Sequence, residues 1–348
     1  MNGIQQTIDS LAESGVEGGV QVAVYRHGEL LLDATAGGVA PSALVYSAST
    51  GKAVTATVVH VLVARGALSY DTPIAALWPE FGAHGKSAAT VRHALTHTVG
   101  VPAVPDGTTV EDLCDWDTMC RGIAASVPWW EPGTKTGYHA QTFGWILGEV
   151  VRRATGRPIS QVLREEIAEP LGVADELFLG VPAAALGRVA LLDDAPGNAA
   201  LLEAMGDFPG TPRALLPDAA YANRADVLTA DIPAGGTFSA RAVARMYAAL
   251  LGEVDGVRLL TPEHLREVTS PAFTGTDQLM GNPVTWALGY AAGRPDGSSP
   301  ETSFGMVGVN GSAAFADTAS GLAFALTKTR FSFADASTVG RILPLLPA

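Results

Sequence analysis

The chain has 348 residues, 47% of them hydrophobic and 16% charged, with a formal net charge of −13 and four lysines, Lys52, Lys86, Lys135 and Lys328. This composition excludes a disordered or fibrous chain, and an acidic protein without a basic patch attracts neither nucleic acid nor an anionic membrane surface. At this length two lobes, or one domain with a large insertion, are expected, and either can enclose a cleft.

The opening MNGIQQTIDSLAESG lacks the basic region and apolar stretch of a secretory signal, and predicts an amphipathic helix with Ile4, Ile8 and Leu11 on one face. No apolar run reaches the roughly 18 residues that span a bilayer. The expectation is a soluble, cytoplasmic protein with no membrane partner. Residues 19–36 carry two apolar runs around His27-Gly28, the pattern of a β-hairpin. The run from Lys52 to Arg65, stopped by Gly66, predicts a buried helix.

From about 70 to 280 the sequence turns to helical pieces punctuated by Pro and Gly, among them Val91–Thr98, Thr142–Thr155, Ile159–Pro170 and Ala240–Leu251. Cys114 and Cys120, within this stretch, are too few for a disulfide framework, match no metal spacing, and are expected to be packing residues. Residues 196–230 read as a long loop over a cleft. Near the end, Ser312–Phe315 and Leu322–Thr329 flank Asp317–Gly321 as a second hairpin, and Ala336–Leu346 reads as a closing helix.

Strands from both ends would pair into one antiparallel sheet, with the terminal helices on one face and the Lys52 helix on the other. The fold class predicted is α+β in αβα layers, with residues 1–69 and 281–348 forming the sheet lobe and 70–280 a mostly helical inserted lobe.

The strongest chemical signal is Ser49-Thr50-Gly51-Lys52, where a loop enters the apolar helix. Residues at i and i+3 share a helical face, so the amine can reach the hydroxyl. Flanked by Ala53, Val54 and Ala56, the amine is desolvated and its pKa falls toward that of a working base. The spacing alone leaves another reading open, in which Ser49 caps the helix and Lys52 is a solvated first-turn residue. A P-loop is excluded, because Tyr46 stands where that motif needs glycine and Ala53 where it needs Ser or Thr. No GxSxG elbow exists. His93 and His97, four apart without a third ligand, read as structural. His27, His60, His84 and His264 are expected in turns or on helix surfaces.

Three stretches, in order, resemble the serine β-lactamase and penicillin-binding-protein superfamily, and most closely its esterase branch. They are STGKAVTA from Ser49, VRHALTHTVGVP at 91–102, and EPGTKTGYHA at 131–140 leading into TFGWILGEVVRRATG. The resemblance runs over about 285 residues, from Ser49 to the C-terminal hairpin. It implies Ser49 as nucleophile, Lys52 as base and Tyr138 as proton shuttle, its phenol lowered into working range by the nearby ammonium. The third motif matches Phe304–Gly311, with the oxyanion hole formed by the backbone amides of Ser49 and Val309.

Two departures bear on substrate. Met306 stands where the superfamily usually has Lys or His, removing a grip on a substrate carboxylate. Ala140 stands where amide-holding Asn is common in β-lactamases and DD-peptidases. Met306 and Gly308 are expected to border the substrate, His139 is a candidate replacement cation or else a partly solvated loop residue, and Trp129, Trp130 and Phe304 are expected to line the mouth. The resemblance implies no metal or cofactor. The function it implies is hydrolysis of small-molecule carboxylic esters or thioesters through a Ser49 acyl-enzyme. The alternatives are a transacylase of secondary metabolism with an amine or alcohol acceptor, and a catalytically silent binding protein of the same fold. Oligomeric state is not legible in the sequence.

Overall fold

A computed structural model describes residues 2–347. Helix α1 (Asn2–Glu13) buries Ile4, Ile8 and Leu11, as its pattern predicts. Strands β1 (Val20–Arg26) and β2 (Glu29–Ala36) follow. The two residues joining them, His27 and Gly28, both have positive φ, the backbone that a two-residue hairpin turn needs to match strand twist.

The remaining strands of the main sheet are β3 (Phe273–Thr276), β4 (Pro283–Trp286), β5 (Ala291–Ala292), β6 (Ser303–Val307), β7 (Ala313–Asp317) and β8 (Leu322–Lys328). Their order is β2-β1-β8-β7-β6-β5-β4-β3, antiparallel throughout. The two ends of the chain meet at the β1–β8 pairing, where Val20 faces Lys328 and Arg26 faces Leu322.

Alternation along the strands fixes the layers. Val22, Val24, Phe315, Phe324 and Leu326 meet α1 and the C-terminal helix α5 (Ser337–Ile342) on one face. Ala23, Ala314, Ala316, Ala323 and Ala325 face the other way. These small side chains let helix α4 (Ala240–Leu251) lie across β1, β8 and β7. Helix α2 (Gly51–Ala64) is buried from Gly51 to Leu62, and packs between β6 and helix α3 (Thr142–Thr155). A helix apolar on every side belongs inside a core.

Several boundaries differ from those expected. The elements of the sheet lobe begin well before 281, since α4 and β3 both belong with the sheet; α4 is amphipathic and reads equally well as part of a helical lobe. The helix at 91 ends at Leu95. Residues 196–230 are not a structureless loop, but hold short helices at Asn198–Met205, Ala219–Ala222 and Ala225–Thr229. Among the described residues, no helix is long and apolar enough to cross a membrane.

Candidate active site

Ser49 sits in a short 3-10 turn, Ala48–Thr50, that runs into α2. Ala48 has φ 45°, a left-handed conformation that strains a residue with a Cβ and turns the chain sharply just before Ser49. Gly51 has no room for a side chain: a Cβ there would lie 2.1 Å from the carbonyl carbon and oxygen of Gly235. This backbone contact brings in the 233–236 strand entry, whose Ala234 carbonyl accepts a hydrogen bond from Lys52 Nζ at 2.8 Å. Lys52 Nζ lies 3.0 Å from Ser49 Oγ.

The Lys52 side chain is fully buried and, among the described residues, pairs with no carboxylate. Desolvation disfavours its charged form and lowers its pKa to about 7. Near neutrality a substantial fraction is a free amine, able to accept the Ser49 proton.

Tyr138 packs over the same group, with Lys52 Nζ 5.1 Å from the ring centre. Trp286 stacks on the Tyr138 ring at 5.9 Å and 14°, and the His97 imidazole lies 4.8 Å away. Burial raises the phenol to about 12, against a smaller opposing effect from the Ser49 hydroxyl. The lowered Tyr138 that the sequence suggested is therefore absent. An amine that has itself lost much of its charge to burial is a poor source of the required field, so Tyr138 remains a protonated phenol, a hydrogen-bond donor.

At the end of β6, a Cβ on Gly308 would lie 2.4 Å from the Ser47 carbonyl oxygen, so glycine is needed for this strand to pass the Ser49 turn. Asn310 is buried and secures that approach, donating from Nδ2 to the Tyr46 carbonyl at 3.0 Å. Val309 follows, beside Ser49 in the cleft wall. The amides of Ser49 and Val309 have no acceptor among the described residues.

The cleft divides at Ser49 and Tyr138. One arm, about 260 Å³, is lined by Met205, Phe208, Leu216, Met280 and Phe333, together with Ala140. The second, about 330 Å³, is lined by Trp286, Val284, Ala291, Met306 and Val307, with Asp277 and Asp335. Among the described residues, no Lys, Arg or His lines either arm.

The expected site residues separate into two groups. Ser49, Lys52, Tyr138, Met306, Gly308 and Val309 come together. Trp129 does not join them; its side chain is 53% exposed, and neither arm includes it. Trp130 is buried behind the site, donating to the Thr98 carbonyl at 3.2 Å. Phe304 is also no mouth residue: it is fully buried, and packs on Tyr247 and Tyr290. His139 is neither a cation nor solvated. Its Nε2 accepts from the Val101 amide at 3.1 Å, its Nδ1 donates to the Gly137 carbonyl at 2.6 Å, and burial lowers its pKa to about 4.

Sequence reasoning missed Asp277, buried 139 residues away from Tyr138, whose Oδ2 accepts the Tyr138 N–H at 2.8 Å. Its Oδ1 accepts the amides of Leu279 and Met280. No local pattern announces such a residue. The Pro233-Ala-Gly-Gly run was a usable signal, because adjacent glycines mark close backbone approach. His60 is not on a surface either; it is buried and hydrogen-bonded to Tyr70 at 2.8 Å and to the Leu288 carbonyl at 2.9 Å. Among the described residues, no cluster of three or more His, Cys, Asp or Glu is placed to hold a metal ion.

The model of the Beta-lactamase family matches residues 4–344. Esterase/beta-lactamase LipL of Mycobacterium tuberculosis (strain ATCC 25618 / H37Rv) is 38% identical, over 90% of this chain and 77% of that protein. Esterase EstB of Burkholderia gladioli is 32% identical over 48% of each. Among solved structures, a family VIII carboxylesterase superposes with a TM-score of 0.87 at 30% identity, over 99% of this chain and 95% of that one. A penicillin-binding protein homologue from Caulobacter crescentus gives 0.86 at 32% identity, over 98% and 95%. With this match over nearly the whole chain and these esterase-named relatives, the chain belongs to the beta-lactamase family and is a serine hydrolase.

Proposed function

We propose that the protein is a carboxylesterase acting on uncharged small-molecule esters through a Ser49 acyl-enzyme. The observation that carries this reading is the buried Lys52 amine, with its pKa lowered to about 7, 3.0 Å from the Oγ of Ser49 at the junction of the two arms. Neutral Lys52 takes the Ser49 proton as Oγ attacks the ester carbonyl, and the amides of Ser49 and Val309 receive the developing oxyanion. The Lys52 proton passes to the departing alkoxide through the Tyr138 hydroxyl, which gives up one proton as it gains another. Water, deprotonated by the same amine, then releases the acid.

The lack of a cation in either arm among the described residues, with Met306 and Ala140 at the two departures, supports esters over anionic β-lactams. The name of esterase EstB points the same way, while that of esterase/beta-lactamase LipL carries both activities. The test is kcat/KM for p-nitrophenyl butyrate against nitrocefin, with Ser49→Ala and fluorophosphonate labelling as controls. Ester turnover well above nitrocefin turnover, with both activity and label lost in Ser49→Ala, is expected. Nitrocefin turned over as well as the ester, or labelling that survives Ser49→Ala, removes the reading.

A further inference from the structure

The segment that carries Tyr138 is held by three successive backbone amides, and a single residue takes two of them. His97 accepts the Gly137 N–H on its own carbonyl at 3.1 Å and the His139 N–H on its imidazole Nδ1 at 3.1 Å. The N–H between them, that of Tyr138, goes to Asp277. His97 can present its carbonyl and its ring to one segment because it is left-handed, with φ 56°, a conformation costly for a residue with a Cβ. Its ring is fully buried, 4.8 Å from the Tyr138 ring, 4.5 Å from Trp286 and 4.9 Å from Phe143.

An imidazole accepting at Nδ1 carries its proton on Nε2, and that buried Nε2 has no hydrogen-bond partner among the described residues. A buried donor left without a partner is destabilising. Strain and an orphaned donor at one residue mark a position held there for something other than its own stability. We propose that His97 is a positioning residue for Tyr138: as a neutral, Nε2-protonated imidazole it fixes the peptide on each side of Tyr138, and so aims the phenol at Ser49.

The proposal rests on Tyr138 acting as the proton relay, and three variants separate the two ideas. His97→Phe keeps a ring of similar shape but has no acceptor for His139. His97→Asn places its side-chain oxygen close to the position of Nδ1 and tolerates a left-handed backbone. Tyr138→Phe removes the relay itself. For ester hydrolysis, His97→Phe should lower kcat by up to roughly 10²-fold with KM little changed, and His97→Asn should recover most of that loss. In the wild type, imidazole ¹⁵N shifts assigned through His97→Asn should show the proton on Nε2.

Wild-type kcat in His97→Phe, equal losses in the Phe and Asn variants, or a proton on Nδ1 overturns the proposal. If His97→Phe does not fold, the Asn variant compared with His97→Ala makes the same contrast, and the tautomer decides independently. Full activity in Tyr138→Phe defeats the relay reading and this proposal together. An impaired Tyr138→Phe beside a fully active His97→Phe defeats this proposal alone.

Discussion

Gly51 and Gly235 meet backbone to backbone, so closely that a methyl group on Gly51 would lie 2.1 Å from the Gly235 carbonyl. The contact holds the 233–236 segment where Ala234 can accept from Lys52. Gly51→Ala should push this segment away and release the amine. Loss of ester turnover by at least about 10²-fold is expected, with a lowered melting temperature, as backbone strain and a broken buried hydrogen bond combine. Thermal melts and kcat measurements test this, and near-wild-type turnover would show that the contact does not govern Lys52.

On the proposed mechanism, burial of Lys52 sets the pH dependence of activity. The amine works as a base only when neutral, so kcat/KM should rise from about pH 6, pass its midpoint near 7, and level off above about 8. With the Tyr138 phenol pushed up to about 12, no descending limb is expected in the ordinary range. An ester-hydrolysis profile that is flat from about pH 5.5 to 8 would exclude Lys52 as the base.

The same burial should appear in stability. The folded-state pKa of Lys52 is about 7, and the unfolded value is about 10.4. Between the two, the unfolded chain binds the extra proton, so stability gained from this group rises with pH across that window. Below about 7 the full cost of burying the charge applies. Lys52→Met should therefore be more stable relative to wild type at about pH 6 than at about pH 9, measured by denaturant melts. A difference that does not change with pH would show that the charge is not buried.

Phe208 lines the first arm and no other part of the cleft. Phe208→Ala should raise KM for a hexanoyl ester while leaving an acetyl ester nearly unchanged, because only the longer chain reaches that wall. Trp129→Ala should alter neither, since the indole lies outside both arms. Phe304→Ala should cost about 3–5 kcal/mol of stability as a core truncation. If Trp129→Ala changes ester kinetics, the mouth extends further than the two arms.

Much of the fold is legible in the sequence. Hydrophobic periodicity marks both hairpins, the terminal helices and the buried α2, because each rests on local pattern and a single layer assignment. The Ser49–Lys52 pairing is legible because i and i+3 share a helix face whatever surrounds them. Phe304 is misplaced by sequence reasoning for an instructive reason. It shares a face of β6 with Met306, but two residues of strand separate them by about 7 Å, and the cleft ends between them while Phe304 continues under Tyr247. Trp129 and Trp130 are adjacent in sequence, yet the chain turns one outward and one inward. Asp277 and the imidazole of His97 acquire meaning only from contacts across long sequence separations, which no local pattern encodes.

The forked cleft bears on the fate of the acyl-enzyme. On the proposed acyl-enzyme route, an acyl chain on Ser49 holding one branch would leave the other for the alcohol, so that product departs without crossing the bound chain. The vacated branch is then the entrance for the second nucleophile. On the same route a small alcohol resting in that space would compete with water for the same carbonyl, and the ratio of new ester to free acid would measure how dry the branch is kept.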